Sequence, residues 1–254
     1  MKPVCVVIGA GAGIGGTAGK LFAREGYHAA LCRRSDEAGL DGLVDSIRAE
    51  GNDATGFMMN AIEPDVLEER LENIEKDIGP VEMVIYNLGA QIGDKPLAET
   101  SPKAFEIGWR LGTFGLYRTA RTIFPYMCER GRGTLLVTSS TAAVRGNPGQ
   151  HSHAAAMGGR RMLCQSLNAE FAPKGIHVAH IVIDGSVDAP DTLGRLLGPE
   201  RFRQLRETVG AEDGLLLPEM IAETYLHLAK QHRSVWTHEL DLRSYSDTAW
   251  WNHS

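Results

Sequence analysis

The 254-residue chain has few of the features that mark secreted, membrane-bound or nucleic-acid-binding proteins. Its four cysteines, at positions 5, 32, 128 and 164, form no CxxC pair, which favours reduced core residues over disulfides or metal ligands. No apolar run approaches membrane-spanning length, and the N-terminus lacks the apolar region of a signal peptide. A net charge of -6 argues against nucleic acid or an anionic membrane as a general partner. We therefore expect a cytoplasmic protein without a metal site.

The chain also lacks repeats, low-complexity segments and linkers, and its length suits one large α/β domain, residues 1–254. Strand-like and helix-like segments alternate, which predicts a doubly wound parallel sheet of Rossmann-like type with helices on both faces. A long stretch without a clear pattern, residues 184–217, is expected to be a substrate lid. The predicted helices begin near residues 14, 36, 64, 101, 152 and 217. The predicted strands are Val4–Ile8, His28–Cys32, Ala54–Met59, Val81–Tyr86, Gly133–Thr138, His177–Ile183 and Trp236–Leu242.

Glycine is concentrated directly after the first predicted strand, at positions 9, 11, 13, 15 and 16. A strand, a glycine turn and a helix N-terminus form an anion site, because free backbone N–H groups and the positive end of the helix dipole face the ligand. Glycine also lets the backbone turn sharply and approach a pyrophosphate closely. The segment therefore predicts dinucleotide binding. Its candidate cofactor contacts are Gly9, Gly11, Ala12, Gly13, Ile14 and Gly15.

The end of the second predicted strand lacks the acid that usually binds the adenosine ribose of NAD in this fold. Arg33 and Arg34 stand there instead. A guanidinium can bind the 2′-phosphate of NADP and stack on adenine. Asp36 and Glu37 come too late to replace the missing acid and suit the first turn of the next helix. We therefore expect NADP(H) as the cofactor, the alternative being that both arginines are solvated surface charges.

Four segments together resemble the short-chain dehydrogenase/reductase family. They are Ile8–Gly15, similar to its TGxxxGIG loop; Tyr86–Gly89, similar to its NNAG motif; Ser139–Ser140, in the place of its catalytic serine; and Asp184–Val187, in the place of its Pro-Gly motif. The resemblance runs nearly end to end and implies reduction of a small-molecule carbonyl or oxidation of an alcohol. The further cofactor contacts that it implies are Asn60, Ala61, Asn87, Gly89, His153, Met157, Gly185 and Val187.

The Asn-Ser-Tyr-Lys active site of that family is matched here at one position. Ser140 fits the Ser, whereas His153 stands at the Tyr position and Met157 at the Lys position. Counting back from Pro125 places Gly112 at the Asn position. Two hypotheses follow from these replacements. The chain is either an enzyme in which His153 has taken over proton transfer, or a dinucleotide-binding pseudoenzyme that acts as a sensor or partner subunit.

The acid–base properties of histidine support His153 as the proton donor. Free Tyr has a pKa of about 10 and needs a nearby cation to act near neutrality, whereas free His titrates at about 6.5. A neighbouring ammonium would disfavour the imidazolium, and Met157 removes that ammonium. We therefore expect Ser140 and His153 to be the catalytic pair, with His151 as the alternative donor. Asp184, where the family has Pro, either caps N–H groups or places a charge near His153.

The resemblance also implies a homodimer or homotetramer. In the family, two long helices form a four-helix interface, and the corresponding helices here contain Phe114 and Met162. The arginines on the same two helices are Arg110, Arg118, Arg121, Arg160 and Arg161.

Overall fold

Seven runs of mostly apolar residues form one parallel sheet in the structure, a computed structural model that describes residues 1–89 and 95–252. The strands are β1 (Val4–Ile8), β2 (His28–Arg33), β3 (Ala54–Met58), β4 (Val81–Tyr86), β5 (Gly133–Ser140), β6 (Ile176–Ile183) and β7 (Glu239–Leu242). They lie in the order β3-β2-β1-β4-β5-β6-β7, so the winding direction switches between β1 and β4. Ligands of open α/β sheets bind outside the carboxyl ends of the strands at this switch.

Helices cover both faces of the sheet and enclose two apolar cores. They are α1 (Ile14–Arg24), α2 (Glu37–Ala49), α3 (Val66–Asn73), α4 (Pro102–Trp109), α5 (Gly115–Arg130), α6 (His151–Phe171), α7 (Arg195–Leu197), α8 (Pro199–Thr208) and α9 (Pro218–Ala229). One core lies between the sheet and α3, α5 and α6, and the other between the sheet and α1, α2 and α9. The doubly wound Rossmann-like fold predicted from the sequence is confirmed.

Two strand boundaries differ from the prediction in a way that bears on the site. β5 continues to Ser140, so the two serines belong to the strand rather than following it. β7 begins at Glu239 rather than at Trp236. The Trp236 ring stacks on His177 with centroids 4.9 Å apart, and its indole N–H donates to the carbonyl of Gln231 at 3.2 Å. These contacts hold Trp236 outside the strand ladder.

The stretch expected to be irregular, residues 184–217, contains α7, α8 and short turns of other helix types. Its two ends meet in a bridge between Val187 and Leu216. Three of its arginines are paired within the stretch: Arg206 donates to Asp188 at 2.6 Å, Arg203 to Glu200 at 2.7 Å and Arg195 to Asp191 at 3.4 Å. The charges of this stretch therefore form a solvated, salt-bridged surface rather than a concentrated basic patch.

The cysteines are free thiols, and three of the four are buried. Burial raises the pKa of Cys32 and of Cys164 to about 12, so both stay protonated. Among residues 1–89 and 95–252, no helix is long and apolar enough to cross a membrane.

Candidate active site

Ser140 and His153 meet at the carboxyl edge of the sheet. Ser140 is the last residue of β5, and His153 is the third residue of α6. The Ser140 hydroxyl lies 3.0 Å from Nε2 of His153, a hydrogen-bond distance. His151, the alternative donor, is the first residue of α6 rather than part of the preceding loop. The structure therefore brings together the two side chains expected to form the catalytic pair.

Met157 and Gly112 lie beside this pair in tight packing. Met157 is 2% exposed, and its sulfur lies 3.8 Å from the hydroxyl of Ser139. Gly112 belongs to the π-helical segment Arg110–Phe114 that joins α4 to α5. A Cβ at Gly112 would lie 2.7 Å from the Cβ of Ala156 and 3.2 Å from the terminal methyl of Met157. The two backbones approach too closely for a side chain at position 112.

Arg160 lies beneath the site as a buried cation. It is 1% exposed, so it is not available to a subunit interface on α6. Its guanidinium donates to the carbonyls of Gly112 and Leu88 at 2.8 Å and to that of Thr138, and it lies 5.2 Å from the Tyr86 ring centroid. Burial lowers the pKa of Arg160. A spacing of seven residues from His153 puts Arg160 on the same helix face, which is the sequence signal for its position.

The neighbouring arginine is also engaged within the chain. Nε and Nη2 of Arg161 each donate to Glu239 at 2.7 Å, which holds the pKa of that carboxyl below its usual range. His180, fully buried on β6, lies 3.0 Å from the same carboxylate. Burial nevertheless lowers the pKa of His180 to about 4. The imidazole of His180 is therefore neutral at physiological pH.

The glycine loop is fixed by close backbone contacts at the start of α1. A Cβ at Gly15 would lie 2.1 Å from the carbonyl oxygen of Gly9, so only glycine fits there. Gly9 itself has φ +101°, and a Cβ on it would lie 2.7 Å from the carbonyl oxygen of Asn87. α1 begins at Ile14 with Gly13 as its N-cap and has neither a side-chain cap nor an acid in its first turn. Its first N–H groups are therefore oriented for an anion.

A carboxylate from a distant part of the chain already lies on this loop. One oxygen of Asp191 accepts from the backbone N–H of Ala12 at 2.8 Å and from Arg33 at 2.6 Å. The segment packs closely here, since a Cβ on Gly13 would lie 2.8 Å from the Cβ of Ala189. Asp191 follows Ala12 by 179 residues, so no local sequence pattern marks this contact.

The expected contacts after β3 lie against an arginine of α5. The side-chain amide of Asn60 donates to Glu63 at 2.8 Å, and its oxygen is buried with no partner among the described residues. The carbonyl of Ala61 accepts from Arg118 at 2.9 Å. Arg118 is 8% exposed and also pairs with Glu68, so it too is engaged inside the subunit.

The remaining expected contacts lie along the carboxyl edge. The side-chain amide of Asn87 donates to the carbonyl of Gly9 at 3.0 Å, which ties β4 to the loop. Gly89 and Arg34 are exposed. Arg33 is the last residue of β2 and contacts Asp191 on the loop, whereas Arg34 follows the strand.

Asp184, where β6 ends, anchors the C-terminal segment. Its carboxylate accepts from Arg243 at 3.1 Å and from the backbone N–H of Trp250 at 3.0 Å. Of the two roles expected for Asp184, the contact with the Trp250 N–H matches the capping of N–H groups. Gly185 follows with φ +147°, and Val187 begins the bridge that closes residues 184–217.

The residues of the loop fit a dinucleotide. A carboxylate bound to Ala12 and Arg33 is a stand-in for a phosphate, and the buried oxygen of Asn60 is an acceptor without a partner among the described residues. A groove of about 510 Å³ runs from this loop along α1 to Glu219 and Ala222, and does not include the Ser140–His153 pair. Within the described residues, no group of three or more His, Cys, Asp or Glu could hold a metal ion.

A parallel doubly wound sheet with a glycine loop after β1 defines a Rossmann-like protein. Residues 3–191 match the sequence profile of the short chain dehydrogenase family. The chain belongs to this family of oxidoreductases, which act on small-molecule substrates.

Relatives support this assignment over nearly the whole chain. The 3-oxoacyl-(acyl-carrier-protein) reductase FabG of Thermotoga maritima is 26% identical over 231 residues, covering 91% of this chain and 92% of that protein. A short-chain dehydrogenase from Rhodopseudomonas palustris has a TM-score of 0.79 at 30% identity, covering 96% and 99% of the two chains. An alcohol dehydrogenase from Thermococcus sibiricus, complexed with 5-hydroxy-NADP, has a TM-score of 0.81 at 26% identity, covering 97% and 98%.

Proposed function

We propose that this protein is an NADP(H)-dependent oxidoreductase that reduces a carbonyl or oxidises an alcohol, with His153 as the proton donor or acceptor. The observation that carries the proposal is the 3.0 Å distance between the Ser140 hydroxyl and Nε2 of His153 at the carboxyl edge of the sheet. A substrate oxygen placed between these two groups can receive a hydrogen bond from each.

Ser140 and His153 would have different roles at that oxygen. The loop from Gly9 to Gly15 would hold NADPH, which would supply the hydride for the carbonyl carbon. As negative charge grows on the oxygen, the imidazolium of His153 donates its Nε2 proton to it, while the Ser140 hydroxyl holds the oxygen in place. Met157, 2% exposed, adds no cation at the position next to His153, so it does not oppose imidazolium formation. Alcohol oxidation uses the same groups in reverse.

The cofactor would lie with its phosphates at the N-terminus of α1. Arg33, 10% exposed and beside the loop, is the residue that would bind a 2′-phosphate. The buried oxygen of Asn60 would accept from the adenine amine. The T. sibiricus relative, solved with 5-hydroxy-NADP, supports the choice of a phosphorylated cofactor.

The segment of residues 184–217 would cover the substrate as a lid. It leaves the sheet at the end of β6, next to the strand that carries Ser140, and its two ends meet at the Val187–Leu216 bridge. Such a closed segment can change its position over a pocket without disturbing the sheet.

The protein would also act as a homodimer or homotetramer. Trp109, Phe114 and Tyr117 form a stacked row with centroids 5.3 and 6.1 Å apart, and each is about 40% exposed. Met162, on α6, is 59% exposed. A surface row of large apolar side chains is typical of an interface.

The test is to compare His153→Phe with the matched variant His151→Phe. A panel of aldehydes, ketones and 3-oxoacyl compounds is first assayed with the parent protein by NADPH oxidation. His153→Phe should lose about 10²–10⁴-fold in rate, the usual contribution of general acid catalysis, and keep its NADPH affinity. His151→Phe should retain the rate of the parent.

The pH profile gives a second readout. In the reductive direction a proton donor at His153 should make the parent rate fall with rising pH, and His153→Phe should lack this dependence. Equal rates for His153→Phe and the parent would refute the proton-donor role. If none of the carbonyls in the panel supports NADPH oxidation by the parent, the hypothesis of a non-catalytic dinucleotide-binding protein replaces that of an enzyme.

A further inference from the structure

A backbone N–H and a guanidinium that converge on one oxygen form a site suited to phosphate. In this protein the pair is the N–H of Ala12 and the side chain of Arg33, and the oxygen belongs to Asp191. Two N–H groups of the loop donate to the carbonyl of Cys32 at 3.0 Å, which fixes the loop beside the end of β2. The end of the second strand lies at the adenosine ribose in Rossmann-like folds. The Asp191 carboxylate therefore lies where a 2′-phosphate would bind.

We propose that Asp191 is an internal competitor for the 2′-phosphate of the cofactor and so sets the selectivity between NADPH and NADH. Both anions need the same two donors, so the carboxylate must leave before the phosphate can bind. NADH has a neutral ribose hydroxyl at this position, so it does not compete with the carboxylate for the two donors. The competition therefore weakens NADPH binding and spares NADH. The inference rests on the proposed NADP(H) function.

The surroundings of Arg33 allow this exchange. Asp36 pairs with Arg33 at 2.7 Å from the side of α2, and its other oxygen accepts from the N–H of Gly39 at 3.1 Å. When Asp191 leaves, Arg33 therefore keeps a partner that holds it in place. A phosphate arriving at Arg33 while Asp191 is still present would lie among like charges, which is unfavourable.

Asp191 can move without opening the whole segment. It lies in the turn Pro190–Gly194, and its other oxygen has a longer contact of 3.4 Å to Arg195. The neighbouring Asp188 is held separately, because its side chain pairs with Arg206 at 2.6 Å and its N–H donates to Leu216 at 2.9 Å. The contacts of Asp188 that anchor the segment are therefore separate from the contact of Asp191 with the glycine loop.

Calorimetric titration of Asp191→Asn with NADPH, NADH and 2′,5′-ADP tests the proposal. We expect Asp191→Asn to bind NADPH and 2′,5′-ADP about tenfold more tightly than the parent, a gain of about 1.4 kcal/mol. Its NADH affinity should stay within about twofold of the parent value. Asp191→Ser provides a second variant with the same expectation. Asp188→Asn is the matched control, because it removes a carboxylate of the same segment that does not touch the loop.

Several results would overturn the proposal. Unchanged NADPH affinity in Asp191→Asn would show that no competition exists, and equal changes for NADPH and NADH would indicate a purely structural role. Weaker NADH binding would instead make Asp191 the ribose-binding acid. Because 2′,5′-ADP has no nicotinamide, its binding is independent of turnover. Tighter 2′,5′-ADP binding with no carbonyl reduction would therefore refute the proposed function and leave the role of Asp191 standing.

Discussion

The contact between Gly112 and α6 leads to a stability prediction with a defined magnitude. A Cβ at position 112 would lie 2.7 Å from the Cβ of Ala156, closer than two such atoms can approach without a shift of the backbone. Overpacking of this kind costs about 1–3 kcal/mol. Gly42, on α2, is exposed and has open space where a Cβ would lie. Gly112→Ala should therefore be about 1–3 kcal/mol less stable than Gly42→Ala, because the gain in helix propensity of about 1 kcal/mol is common to both.

The measurement is equilibrium unfolding in urea, followed by tryptophan fluorescence. Combining Gly112→Ala with Ala156→Gly removes the overlapping atom, so the two changes should be less destabilising together than the sum of their separate effects. Additive effects, or equal stability of Gly112→Ala and Gly42→Ala, would refute the reasoning. A confirmed overlap would mean that the asparagine of the family cannot be restored at position 112 without changing α6.

Three further predictions follow. Parent protein should bind NADPH more tightly than NADH by calorimetry, and Arg33→Ala should lose about 1.5–3 kcal/mol of NADPH affinity while the exposed Arg34→Ala loses little. Light scattering should give a dimer or tetramer at micromolar concentration, and Phe114→Glu with Met162→Glu should give a monomer. Because burial lowers the pKa of His180 from 6.5 to about 4, the unfolded chain binds this proton first, so stability should fall by about 3 kcal/mol between pH 6.5 and pH 4. His180→Gln should flatten that part of the urea-stability profile, and an unchanged profile would refute the assignment.

Local sequence patterns predict the parts of the fold that depend on residues close together in the chain. The apolar run Val4–Ile8 predicts β1 because a strand covered on both faces contains few polar residues. Asp36 caps α2 and Ser101 caps α4, as their residue types indicate. The Ser140–His153 pair could be predicted because the family resemblance relates two positions thirteen residues apart in the chain.

Contacts that join distant parts of the chain could not be predicted in this way. Asp191 looks like one acid among several in a charged stretch, and only the folded chain brings it to Ala12. Arg160 and Arg118 look like surface charges of amphipathic helices, yet both are buried among backbone carbonyls. A long cationic side chain can be placed in either environment, and the partners that decide between them come from distant parts of the chain.

The burial of Arg160 also bears on the order in which the chain folds. Its carbonyl partners belong to residues 88, 112 and 138, which come together only after β4, β5 and the long helix between them have docked. Until these carbonyls are in place, water is the better partner for the Arg160 guanidinium, since removing a charge from water without replacing its hydrogen bonds is costly. These contacts should therefore form after the folding transition state, so that Arg160→Met accelerates unfolding much more than it slows refolding in stopped-flow measurements. The floor of the candidate active site would then be completed late in folding and lost early in unfolding.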